Sequence, residues 1–527
     1  MKTKKILSLV LVLAMLLPMA ALAESTYPIA TDGSETLNYW TTLNASAAKF
    51  IESLADNTAY QEMEKRTGVK IEWIHPAIGQ EREQFNLLMV SGELPDMVSS
   101  ANYYKGGEFQ GMYDGVFTDL TDLLPVYAPD YWKLIQEDPE FFREVSDENG
   151  RICAVYPYKR YGDPPFDRVF VREDVLQELG LEIPQTIEDY NVLFAKLLEN
   201  GMTPFMPRRE GYEPQFMSPF GVLAGTPLSG DGMITQCLFK DLDGKIYYGQ
   251  TKPEFKQYLE LMNGWYEAGY ISKDFATADG NQRNTAFDTK QLGIMIGAIV
   301  ANFNRGQTQG FGITAAPYPR LELGQQLHLE DTNIWPLQRK FDSMVVIPTS
   351  NKNPEIALRW LNYGYTPEGM DLMNWGVEGI NYDVVDGKKV YNDLMLANPQ
   401  FGTEEASYIY KMHFAPKNTE LDTICHANLL KSPASLASRM KWADDPNVDS
   451  EFRLPPYQRT TEEQEAYTQV MTEVATYADE MVLKFITGAT PLSEFENFVK
   501  TIESMGINDL LASEQVAYER YLGKQLQ

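Results

Sequence analysis

The run Trp375-Gly376-Val377-Glu378-Gly379-Ile380-Asn381-Tyr382 mixes two glycines, two large aromatics, one acid and one amide in eight residues. Packing alone rarely wants such a mixture, whereas a loop presenting side chains to a polar ligand does. Aromatic rings cover the C–H faces of a sugar, and carboxylates, amides and guanidinium groups bind its hydroxyls. Trp375, Glu378 and Tyr382 are therefore candidate ligand residues. Each has a rival reading: Trp375 and Tyr382 as core, and Glu378 as a loop carboxylate capping a backbone amide. The same choice holds elsewhere. Trp40 ends an apolar strand, and Trp335 precedes Pro336 in what is either a ligand loop or a stiff turn. Arg305 closes the polar run Asn302-Phe303-Asn304-Arg305 and competes with a surface salt bridge worth little. Glu210 and Tyr212 lie in the proline-containing loop Arg208 to Pro214, and Tyr103-Tyr104 follows another strand end. Trp265 falls at helical spacing with Phe255, Tyr258, Leu259 and Met262, and it is assigned to packing with Trp73 and Trp360.

Bond-breaking chemistry finds little support. There is no G-x-S-x-G, no phosphate-binding glycine loop and no cysteine–histidine pair in a recognised context. A secreted glycoside hydrolase would need two carboxylates flanking a cleft, but among 74 acids no pair stands out. His75, His328, His413 and His426 are scattered without metal-ligand spacing, so neither a metal nor another cofactor is expected. Cys153, Cys237 and Cys425 are odd in number and form no disulfide framework.

The first 23 residues read as a secretory signal. Lys2, Lys4 and Lys5 form the charged start, Ile6 to Leu17 the apolar segment, and Ala21-Leu22-Ala23 the cleavage site. Pro18 interrupts the run before it reaches the ~18–20 residues of a membrane span. Without the three signal lysines, 42 of the 45 basic residues face 74 acids, a net of −32. That argues against a nucleic-acid partner and against an anionic membrane surface. It also mildly disfavours a polyanionic ligand.

The elements that must hold these residues are legible in order. Leu37 to Thr41, Val69 to Trp73 and Pro95 to Val98 read as strands, alternating with helical stripes at Ile51 to Met63 and from Phe85 to Met89. This is the opening of a parallel sheet with helices on its faces. Leu120 to Ile135 reads as a helix, and Thr186 with Asp189 makes a capping pair for another. Leu292 to Ala301 suits a buried strand. Asn353-Pro354-Glu355 and Thr366-Pro367-Glu368 each open a helix. Tyr467 to Phe485 carries one unbroken apolar stripe.

Several of these runs carry a family resemblance. T-G-V-K-I-E-W, E-R-E-Q-F-N-L-L-M-V-S-G-E-L-P-D, N-P-E-I-A-L-R-W, W-G-V-E-G-I-N-Y and F-I-T-G-A-T-P-L-S-E-F resemble large extracellular solute-binding proteins of ABC importers. The likeness is greatest to the oligosaccharide- and alginate-binding subgroup. The resemblance implies an α/β fold of two lobes with a hinge and an interlobe cleft. Lobe 1 is expected from 24–167 plus 313–385, and lobe 2 from 168–312 plus 386–527. It implies a monomer that captures an oligosaccharide and delivers it to ABC permease subunits, with no catalysis. The same fold binding a peptide or other small solute is the alternative, and the hydrolase the second. Two departures matter. Glu199-Asn200-Gly201 runs directly into Met202-Thr203-Pro204, without the calcium loop of several relatives. The first cysteine is Cys153, so the lipid anchor of many relatives is missing and retention at the cell surface is unexplained.

Overall fold

A computed structural model describes residues 26–31, 35–45, 47–159, 167–225, 237–329, 344–411, 418–422, 425, 428, 445–455 and 457–526. The expected signal segment, most of the first crossing before Asp167, and Trp335-Pro336 lie outside the described residues. The first lobe is built on a five-stranded sheet in the order Val69–Ile74, Glu35–Trp40, Met97–Ser99, Val345–Val346, Ala154–Val155. The first three strands are parallel, and Val345–Val346 runs antiparallel to both its neighbours. Strand Glu35–Trp40 buries Leu37, Tyr39 and Trp40 in a core shared with Val69, Ile71, Phe85, Met97, Val98 and Met344 to Ile347.

One helix begins later than the apolar stripe suggests. Ile51 and Leu54 are buried, but they sit in turns, and the helix covers only Thr58–Thr67. Asn57 sets that start. Its Oδ1 accepts from the amides of Ala59 and Tyr60, and its Nδ2 donates to the carbonyls of Tyr408 and Lys411 at 2.8 and 2.9 Å. An asparagine satisfied this way favours a cap over a helix interior. Leu120 to Ile135 likewise breaks into Leu124–Tyr127 and Pro129–Glu137, because Pro129 has no amide with which to continue the first piece.

The second lobe has a three-stranded antiparallel sheet with Asp167–Arg172 between Ile294–Ala298 and Ile313–Ala315. The apolar run Leu292 to Ala301 is thus strand for five residues and then turns into the helix Ile299–Gln309. Around this sheet lies a separate core that includes Tyr190, Phe194, Phe255, Tyr258, Met262 and Trp265. The long helix Thr461–Ile486 presents Met471, Val474, Ala478, Val482 and Phe485 to it, one side of a 3.6-residue period. Two stretches pack differently from the division drawn on sequence. Residues 313–316 join the second sheet and core, and residues 391–411 lie beside the first lobe, with Tyr408 in its core. Among the described residues no helix is long and apolar enough to cross a membrane.

Polar contacts join the lobes. Lys524, just past the last helix, donates to the carbonyls of Arg143 and Ser146 at 3.1 and 2.6 Å, at the C-terminal end of helix Pro139–Val145. A cation is favoured there by the helix dipole. On the same short helix Glu144 is 1% exposed, and its Oε2 has no hydrogen-bond partner. Burial, then the neighbouring Glu140 and Asp138, push its carboxyl well above the usual range, while Arg453 and Arg143 pull it down. The folded state therefore holds a proton that the unfolded chain releases above about pH 4.3. This contribution to stability is present at acid pH and falls as pH rises from there towards the raised folded value. Glu144→Gln is expected to stabilise the protein at pH 7 by on the order of 1 kcal/mol, with the gain vanishing near pH 4. Urea unfolding at both pH values measures this, and a loss at pH 7 would mean that Glu144 is ionised and held by Arg453.

Candidate functional site

The carboxyl ends of the parallel strands in an open α/β sheet are where ligands bind. Here the strand Met97–Ser99 ends in Ser100, a non-glycine residue at φ 59°, followed by a short turn at Ala101–Tyr103. Left-handed backbone at a residue with a side chain costs energy and marks a position the surroundings dictate. Gly106 and Gly107, at φ 88° and 82°, then reverse the chain into helix Gly107–Tyr113. Beyond this edge a cleft of about 720 Å³ opens between the lobes. One wall is Asn102 and the stretch from Gly106 to Tyr113, with Asp147 and Glu148. The other is formed by the start of helix Thr461–Ile486 with the preceding Tyr457 to Thr460, and by the end of helix Ile507–Leu522.

Of the aromatics that line this cleft, Tyr113 is the most exposed, at 46%. Its hydroxyl donates to Asp147 Oδ2 at 2.7 Å, and the Arg151 guanidinium lies 4.5 Å from the ring centroid. Burial and the Asp147 carboxylate raise the phenol, which stays a donor. Asp147 is itself fixed by the amides of Asn149 and Arg151 at 2.8 Å each and by Arg151 Nε at 2.9 Å. The ring is therefore held in place before any ligand arrives. Asn102 Oδ1 is buried without a hydrogen-bond partner, as is Ser100 Oγ at the end of strand Met97–Ser99. Buried polar atoms are normally satisfied, so unmet ones at a cleft edge suit a ligand that can donate.

The cations on the facing wall are engaged. Arg459 donates to both oxygens of buried Glu514 at 2.6 and 2.8 Å, and the Tyr457 hydroxyl donates to the same carboxylate. Arg520 grips Glu463 through two bonds of 3.1 and 2.6 Å. Glu463 also accepts from the Thr460 amide at 2.8 Å, while Thr460 Oγ1 accepts from the Glu463 amide, a complete capping box. Burial alone would raise the Glu463 carboxyl, but Arg520 and the Thr460 amide outweigh it and hold the group below the usual range.

The residues singled out on sequence do not meet at one place. Trp375 is the last residue of helix Pro367–Trp375 and is 4% exposed. It donates from Nε1 to Asp422 at 2.7 Å and packs 4.8 Å from Tyr391 in a small core with Tyr382, Met395 and Cys425. Glu378 is exposed in the turn before the hairpin of Tyr382–Val385 with Lys388–Tyr391. Trp40 is buried edge-on against Phe85, with centroids 5.7 Å apart. Arg305 pairs with Asp288 at 3.0 Å, and Glu210 accepts from neighbouring Arg209 at 3.0 Å. Tyr212 is buried, and its ring lies near-parallel to Phe255. None of these seven lines the cleft; Trp335 lies outside the described residues. Of the loop after Met97–Ser99, Asn102 lines the cleft and Tyr103-Tyr104 do not; Tyr113 looks like an ordinary helical residue until Asp147 and Arg151 come beside it. Among the described residues no group of three or more His, Cys, Asp or Glu is placed to hold a metal.

The family model described as bacterial extracellular solute-binding protein matches residues 42–371. Fructooligosaccharide ABC transporter substrate-binding protein FusA of Streptococcus pneumoniae is 23% identical, covering 88% of this chain and 86% of FusA. Lipoprotein LipO of Bacillus subtilis is 25% identical over 64% of this chain and 66% of its own. Among solved structures, alginate-binding protein AlgQ2 without calcium ion superposes with a TM-score of 0.64 at 22% identity, covering 93% of this chain and 99% of that one. An HMO-binding, ABC-transporter-associated solute-binding protein from Bifidobacterium longum infantis gives 0.69 at 17% identity, over 94% and 100%. These likenesses carry the two-lobe fold across nearly the whole chain. With the family match spanning well over half of it, the chain belongs to the bacterial extracellular solute-binding proteins.

Proposed function

We propose that this protein captures an oligosaccharide in the cleft between its lobes and delivers it to the permease subunits of an ABC importer. The observation that carries this reading is the cleft wall. A half-exposed Tyr113 ring, fixed at its hydroxyl, lies among amide side chains at Asn102, Gln110 and Gln458. Rings cover sugar faces, amides bind hydroxyls, and closure of two lobes desolvates both contacts together. FusA, described as a fructooligosaccharide-binding component, supports the same class of ligand. The named relatives are transporter proteins, and in this reading no bond is made or broken: function is capture, closure and handover. Met1 to Ala23 serves as the export signal, and the protein acts as a monomer outside the cell membrane. Tyr113 is the ring that covers the sugar, while Trp375 holds the hairpin that follows it.

Thermal unfolding of the mature protein against panels of oligosaccharides and short peptides tests this. A ligand at ~1,000 times its dissociation constant adds about 4 kcal/mol to the native state. An upward shift with one sugar class, the sugar recovered intact, is the expected outcome. A shift with peptides alone would replace the sugar, and cleaved sugar would replace binding by hydrolysis. For the two aromatics the expectations differ. Tyr113→Ala is expected to weaken the sugar about tenfold and leave unliganded stability nearly unchanged. Trp375→Ala is expected to cost about 3 kcal/mol of stability, read by urea unfolding without ligand.

A further inference from the structure

We infer that the cleft selects an uncharged oligosaccharide and rejects uronate or otherwise anionic glycans; this rests on the oligosaccharide reading. Among the described residues lining it, five are acids (Glu108, Asp147, Glu148, Glu462, Glu465) and three are cations (Arg459, Arg520, Lys524). Each cation is committed within the protein. The Arg459 fork is spent on Glu514, the Arg520 fork on Glu463, and Lys524 on the carbonyls of Arg143 and Ser146. A carboxylate ligand is recognised best by a guanidinium whose paired N–H groups face it. Here those groups face protein carboxylates instead, so an incoming anion would have to displace one of them and leave it unpaired.

At the helix start on this wall the first turn carries Glu462 and Glu463, whose carboxylates already sit at the positive end of the helix dipole. The side chains of Thr460 and Glu463 already close the capping box, which takes up the amide of residue 463. The partner the cleft lacks is a donor: Asn102 Oδ1 is a buried acceptor with none. Sugar hydroxyls, which neutral and uronate sugars share, can donate to it, so this acceptor suits a sugar and the engaged cations set the charge. The chain's large negative charge acts in the same direction at longer range, repelling polyanions.

The experiment is titration calorimetry of the mature protein with neutral oligosaccharides (fructan, glucan and mannan trisaccharides) and with trigalacturonate and trimannuronate. It is repeated with Glu463→Gln. Glutamine can still accept from the Thr460 amide, so the cap survives, while Arg520 loses its charged partner. Wild-type protein is expected to bind a neutral trisaccharide and neither uronate. The variant is expected to gain uronate affinity of about tenfold that weakens with added salt. If wild-type protein binds a uronate as tightly as any neutral sugar, the charge selectivity is overturned while the oligosaccharide reading stands. If Glu463→Gln gains no uronate binding although its neutral ligand still binds, the engaged arginine is not what excludes the anion and the inference fails. If no glycan of either charge binds, the oligosaccharide reading itself fails, and this inference with it.

Discussion

Each lobe closes its own hydrophobic core, and the contacts described between them are polar. Lys524 gives its ammonium to the end of helix Pro139–Val145, and on that helix Glu144 lies within electrostatic reach of Arg453 across the junction. A wide apolar seam would fuse the lobes into one rigid body, since burial is non-directional and grows with area. Directional contacts between separate cores leave the relative position of the lobes adjustable. A binding protein that must open and close needs that property.

The same arrangement shapes the cleft. Helix Thr461–Ile486 belongs by packing to the second core, yet its first turn reaches the interlobe wall. Holding that turn there uses Thr460, Glu463, Arg520, Arg459 and Glu514, so the charges that organise the wall also neutralise one another. Scaffold and selectivity then come from one set of ion pairs. The first lobe supplies what is left open: an anchored ring at Tyr113 and an unmet acceptor at Asn102.

Local signals in the sequence translated well wherever a few neighbouring residues decide the outcome. Thr186 and Asp189 make their capping box, and the stripe from Met471 to Phe485 buries as its spacing demands. Signals failed where a distant partner intervened. The stripe from Ile51 to Met63 is interrupted because Asn57 answers to carbonyls about 350 residues away. The Trp375 run looked like a binding loop from its composition, but the groups that engage it, Tyr391 and Asp422, arrive from further along the chain and enclose the ring.

The sequence by itself determined the class of fold. Strand and helix periods, caps and the family runs are properties of short windows, and those at Val69–Ile74, Ile187–Glu199 and Thr461–Ile486 agree with the final architecture. Tertiary structure alone decided where the cleft lies and what lines it. Tyr113, Asp147, Glu463 and Arg520 are ordinary residues in their own windows. They acquire meaning only when two separately folded lobes bring a strand end, a helix start and the last helix of the chain to one cleft. A binding site is a convergence of side chains across hundreds of residues, and no local period encodes which of 74 acids will face which arginine.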